Sequence, residues 1–154
     1  MSASFDLQSG IAKLLTPEAL PAPNIPVLMR RPKELQSDIE EAILKQTLGI
    51  YINPPLPTRA LDSGGPVLFF SDYEVRVRVV EQPKLNDKGA DAYEVAEAIA
   101  EALHWSNPEA PDGTPMLAIP MKINPGRPLE LIEDPTYRVI DVVFIAALQI
   151  NKQG

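Results

Sequence analysis

Seventeen prolines, most of them gathered into four clusters, decide where regular structure can run in this 154-residue chain. The clusters fall at Pro17–Pro26, Pro54–Pro57, Pro108–Pro115 and Pro120–Pro128. Each proline fixes φ, removes a backbone donor and pushes the residue before it out of the α region. Neither a helix nor a central strand therefore passes through a cluster. The prolines punctuate the chain instead of forming one disordered tract.

Between the clusters the apolar residues show clear periods. Phe5 to Leu15 reads as a short helix with Leu7, Ile11, Leu14 and Leu15 on one side, ended by Thr16-Pro17. Residues 16–32 then form an extended arm that cannot sit inside a sheet. Its apolar residues Ile25, Val27, Leu28 and Met29 need a surface to lie against, in this domain or in a neighbouring subunit. Residues 33–46 carry Leu35, Ile39, Ala42 and Ile43 at helical spacing, after a proline suited to a first turn. Ile50-Tyr51-Ile52 is a short strand, and residues 56–66 read as a loop with Ser63-Gly64-Gly65-Pro66 as its turn.

The first long strand region runs from Val67 to Val80. There Tyr73, Val75, Val77 and Val79 alternate with Glu74, Arg76 and Arg78. This predicts one core face and one polar face, with Arg76 and Arg78 either exposed to solvent or paired across a subunit boundary. After the polar loop 81–90, Asp91 caps a helix whose buried stripe is Val95, Ile99, Ala102 and Leu103. Met116 to Ile123 is a strand candidate weakened by Pro120, and Leu129 to Glu133 is a further short segment. Tyr137 to Ile150 is a second long strand, with Ile140, Val142, Phe144, Ala146, Leu148 and Ile150 on one face. Its other face holds Val139, Val143 and Ile145, interrupted by Asp141 and Gln149; a strand apolar on much of both faces is central or covered on both sides.

The expected fold is α+β: a mixed, mainly antiparallel sheet with two main helices packed on one face. Residues 1–32 supply an N-terminal helix and a proline-rich arm, and residues 33–154 form a single domain. No apolar run reaches the roughly 20 residues of a membrane span, and Met1-Ser-Ala-Ser-Phe-Asp does not read as a secretory signal. With no cysteine, disulfides, thiolate metal sites and a cysteine nucleophile are excluded, and the cytoplasm is the expected compartment.

The chemistry-bearing residues are sparse. His104 is the single histidine, so one chain cannot build a histidine metal cluster; beside Trp105 at a helix end it reads as a packing residue or a cap. Trp105 itself reads as a core or edge anchor. No Walker-type loop, G-x-G-x-x-G or G-x-S-x-G occurs. No catalytic, cofactor-binding or metal-binding residue is therefore assigned. A formal charge of −7 argues against a nucleic-acid grip. Glu94, Glu97 and Glu101 share one face of their helix, either as an ordinary solvated face or as a surface that repels phosphate.

The helix at 33–46, the short strand Ile50-Tyr51-Ile52-Asn53 and the long strand Glu74-Val-Arg-Val-Arg-Val-Val80 come in a recognisable order. They lead into the loop Glu81-Gln-Pro-Lys-Leu-Asn86, a helix ending Ala102-Leu-His-Trp105, and a last strand built on Tyr137-Arg-Val-Ile-Asp-Val-Val-Phe144. Over roughly residues 33–150 this resembles the small tail-terminator and tail-completion proteins of long-tailed bacteriophages, including minor tail proteins of prophages. The motifs are patterns of elements and not an invariant signature, and the proline-rich arm departs from them. The resemblance implies a non-enzymatic, ring-forming subunit, typically a hexamer, made in the bacterial cytoplasm and built into the virion tail. Its partners would be other copies of itself, the tail tube and the head-side connector, with no cofactor and no specific hold on DNA. Glu94, Glu97 and Glu101 would then face the lumen, and Ile25, Val27, Leu28, Met29, Arg76 and Arg78 would serve contacts between subunits. A head–tail connector or neck subunit is the nearest alternative; a small ligand-binding or hydrolytic α+β protein is the alternative from another class.

Overall fold

A computed structural model of the chain describes residues 3–21, 25–29, 48–62, 68–84, 86 and 89–147. The helix expected at 33–46 and the end of the last strand beyond residue 147 lie outside the described residues. The elements are α1 (Ala3–Leu14), β1 (Val27–Met29), β2 (Leu48–Ile52), β3 (Leu56–Asp62), β4 (Leu68–Glu81), α2 (Ala92–Leu103), β5 (Lys122–Ile123), β6 (Leu129–Ile132) and β7 (Arg138–Ala147). Among the described residues they make one seven-stranded sheet with two helices on one face, an α+β fold with a mixed sheet.

The sheet is built around two uninterrupted strands. β4 and β7 pair antiparallel over ten residues, from Asp72↔Ala147 to Glu81↔Arg138. Their shared register places Val75, Val77 and Val79 beside Phe144, Val142 and Ile140, all fully buried under the helices. Burying one such side chain contributes about 1.5–3 kcal/mol, so this block is the centre of the core. β1 runs parallel to β2 at one edge, and every other pairing is antiparallel.

Both neighbours of this central pair are broken strands. β2 and β3 lie end to end along one side of β4, and β5 and β6 lie end to end along the far side of β7. The first break is Asn53-Pro54-Pro55 and the second is Asn124-Pro125-Gly126-Arg127-Pro128. Prolines lack the donor a ladder needs, so the strands part there. The two breaks fall on the same row of the sheet. Asn53 N–H donates to the Arg76 carbonyl at 3.0 Å, and Asn124 N–H donates to the carbonyl of Val143, the register partner of Arg76, at 2.9 Å. Past the second break the Val143 N–H donates to the Pro128 carbonyl at 3.0 Å.

The helices follow their patterns. α1 buries Leu7 and Ile11, ends before Pro17, and sends the Gln8 amide to the Ile52 carbonyl at 2.9 Å. α2 begins at Asp91, whose carboxylate accepts from the Glu94 N–H at 2.9 Å, and buries Ala92, Val95, Ala96, Ile99 and Leu103. Leu117 and Met121 complete the core from the connection between α2 and β5.

Four local expectations are corrected. The arm does enter the sheet: between Pro26 and Pro32 lies a proline-free window, and Val27–Met29 uses it as an edge strand on β2. Residues 56–62 form β3 instead of loop, because the first half of β4 offers them a partner that compensates for poor local alternation. The candidate strand at 116–123 shrinks to Lys122–Ile123. Ahead of it, residues 107–117 close on themselves through Met116 N–H to the Pro108 carbonyl and reciprocal bonds between Asn107 and Leu117. Of the two readings of Trp105, core or edge anchor, the core one falls: it is 59% exposed.

Candidate functional site

The face of the sheet away from the helices carries most of the organised polar chemistry. Strand alternation puts Glu74, Arg76 and Arg78 of β4 on this face, with Asp141 of β7 as the direct register partner of Arg78 and Glu130 of β6 next to Asp141. Asp141 is fully buried. Its carboxylate accepts from Arg78 Nε at 2.6 Å, Arg78 Nη2 at 2.9 Å and Arg76 Nη1 at 3.1 Å. Arg76 spreads its other donors to Glu74 at 3.0 Å and Glu130 at 3.1 Å, and Arg127 adds a bond to Glu130 at 3.2 Å. Arg78 also donates to the hydroxyl of buried Tyr51 at 3.3 Å and lies 5.7 Å from that ring's centroid.

Three carboxylates thus meet three guanidinium groups, which removes the net charge that burial would penalise most. For Arg78 the hydrogen bond to Asp141 outweighs burial and raises the pKa above its ordinary value. For Arg76 burial pulls the pKa down, but the bonds to Glu130, Glu74 and Asp141 together raise it. Neither guanidinium can act as an acid or base, and the planar forks are instead a brace locking β4, β6 and β7 in register. Below it, Tyr51, Val80 and Val139 form a second apolar cluster with Leu28, Ile132 and Tyr137 packed against it.

The remaining site candidates divide cleanly. Ile25 and Val27 pack against the main core and Leu28 against the second cluster, each half-buried, and Leu28 and Met29 pair with Tyr51 and Ile52. The arm therefore lies against its own domain along this stretch. Arg76 and Arg78 are paired within the chain, with only about a sixth of each side chain exposed. Glu94, Glu97 and Glu101 are all exposed on α2, on the side away from the sheet. His104 is the C-cap residue, its N–H bonded to the Ala100 carbonyl at 3.0 Å and its Nδ1 accepting from Ile123 N–H at 3.1 Å.

Asp141, Glu130 and Tyr51 were not singled out from the sequence. The available signal was an acid inside an otherwise apolar strand, in a chain whose other long strand alternates arginines with valines. Among the described residues, no group of three or more His, Asp or Glu is placed to hold a metal ion, and no helix is long and apolar enough to cross a membrane.

What the fold defines is an α+β protein with a mixed sheet, braced on one face by ion pairs and covered on the other by helices. No protein-family model matches the chain, and no curated protein matches it either.

Proposed function

We propose that this chain is a structural subunit that assembles into a ring, in the manner of the tail-terminator and tail-completion proteins it resembles. The ring would cap the tail tube in the virion and meet the head-side connector. The observation that carries this reading is the division of α2. Val95, Ile99 and Leu103 are fully buried on the sheet, while Glu94, Glu97 and Glu101 form an exposed carboxylate stripe with no basic residue in the helix to offset it.

A stripe of this kind suits a lumen through which DNA must slide. Phosphates are repelled by it, and within α2 itself the polyanion meets no cation. The chain's net charge of −7 acts in the same direction. The ion-pair brace also fits an assembly role, since its carboxylates and guanidiniums are engaged with one another and hold the sheet in register.

Light scattering coupled to gel filtration tests the ring. A discrete species near six times the 16.9 kDa protomer is expected, and a monomer at all concentrations removes the main physical prediction. The lumen assignment is tested by changing Glu94, Glu97 and Glu101 together to Lys. The variant should assemble but impede DNA passage in a phage assay. Normal assembly with normal DNA passage overturns the assignment.

A further inference from the structure

The end of α2 contains a conformation that its residue does not favour. Immediately after the cap residue His104 the chain turns into the left-handed region, at φ 64°, and the residue there is Trp105. Glycine is the usual occupant of this position, because a Cβ crowds the backbone. Burial does not compensate the tryptophan, since it is 59% exposed. The surroundings hold it firmly all the same. Its N–H donates to the Met121 carbonyl at 2.7 Å, and the Met121 N–H returns a bond to the Ser106 carbonyl at 2.7 Å. The His104 ring meets the indole edge-on, with centroids 5.3 Å apart, and Lys122 Nζ lies 5.4 Å from the ring centroid. Ile145, the register partner of Lys122, is also exposed. The result is a preorganised aromatic knob beside a cation. Fixed tryptophans of this kind concentrate binding energy because little entropy remains to be lost on docking.

At the other end of β7 the turn from β6 forms a shallow open cleft of about 540 Å³ lined, among the described residues, by Glu133, Asp134 and Pro135. The turn is rigid, because the Asp134 carboxylate accepts from the Thr136 and Tyr137 N–H groups at 2.9 and 2.8 Å. The seven residue steps of β7 from Arg138 to Ile145, at about 3.4 Å each, put cleft and knob more than about 20 Å apart. They cannot meet within one chain, yet their charges are complementary: an ammonium beside the knob, two carboxylates in the cleft.

We propose that Trp105 seats in the Glu133–Pro135 cleft of a second copy of this chain, with the indole against the proline ring and Lys122 facing Glu133. The contact is heterologous, joining unlike surfaces at opposite poles, and such contacts propagate head to tail until the rotation closes a ring. It deepens the self-assembly part of the proposed function and does not depend on the viral part.

The test is sedimentation velocity of the full chain across a concentration series, with a thermal melt of every variant. Trp105→Gly places the residue that suits the backbone, so its melting temperature should equal or exceed that of the parent. Its self-association should weaken about tenfold or more. Lys122→Glu and Glu133→Lys should each weaken association, and the double variant should recover to within about threefold of the parent, because each interface regains opposite charges. Trp105→Gly associating as tightly as the parent, or a double variant no better than either single one, overturns this contact and leaves the ring reading standing. A parent chain that is monomeric throughout overturns both.

Discussion

Replacing Asp141 by Asn removes one charge from the middle of the sheet while nearly preserving the shape of the side chain. Two carboxylate oxygens now accept three N–H groups, at 2.6, 2.9 and 3.1 Å. The amide keeps one of those oxygens and turns an NH2 group towards guanidinium donors. The two arginines are not affected equally. Arg76 retains Glu74 and Glu130, whereas Arg78 retains, among the described residues, the Tyr51 hydroxyl and ring face. Breaking a buried ion pair from one side costs about 3–5 kcal/mol, because the surviving charge is left uncompensated. Both guanidiniums keep some access to water, so a loss near the lower end, about 3 kcal/mol, is expected. For a chain of this size that corresponds to a fall of roughly 6–12 °C in Tm. Urea unfolding at neutral pH, followed by circular dichroism and checked by a thermal melt, measures it directly. Arg78→Met in the same background should remove the stranded charge, giving a non-additive cycle with a coupling of about 1–3 kcal/mol. A loss below about 1 kcal/mol for Asp141→Asn, or strictly additive single and double variants, refutes the view that this pair braces the sheet.

Gly10→Ala should destabilise the protein even though alanine is favoured over glycine by about 1 kcal/mol in a helix. A Cβ at that position would stand 2.8 Å from the Glu109 carbonyl oxygen and 3.0 Å from Pro108 Cβ, so α1 must move off the 108–109 segment; denaturant unfolding should show a net loss of about 1–2 kcal/mol. Acid should weaken the fold through Glu130, whose carboxyl the Arg76 hydrogen bond holds below its ordinary range. The unfolded chain takes up that proton first as pH falls, so the stabilisation is complete above the ordinary glutamate pKa of about 4.3 and is lost as pH drops through the lower folded value. Glu130→Gln should therefore give a shallower decline of Tm below about pH 5 than the parent chain, measured by melts across a pH series.

Much of the architecture was legible because it is written in local periods. The alternation of Tyr73, Val75, Val77 and Val79 and the stripe of Val95, Ile99 and Leu103 each name an element and its buried face without reference to the rest of the chain. β3 was not legible, because Leu56–Asp62 has no alternation of its own and becomes a strand through pairing with the first half of β4. β1 was hidden by the prolines on either side of it, although the rule that keeps proline out of central strands leaves an edge of three residues open. The ion-pair brace depends on cross-strand register, with Asp141 meeting Arg76 and Arg78 across 65 and 63 residues. Charge and alternation identify candidates for such a network, but only the pairing of β4 with β7 and β6 decides who meets whom. Trp105 follows the opposite logic. Its residue type suggested a core or edge anchor, and the exposed position reflects a backbone turn that no hydrophobic pattern encodes.

The two proline breaks give the sheet a tolerance that a regular one lacks. Adding one residue inside an ordinary strand slides everything after it and turns each buried side chain outward. Here three residues, 53–55, already span two positions of β4, and five residues, 124–128, span the single position of Val143. The segments on either side of each break take their alignment independently from an unbroken strand. The breaks are thus expansion joints, where length can change over generations without disturbing the core to either side, while β4 and β7 have no such freedom.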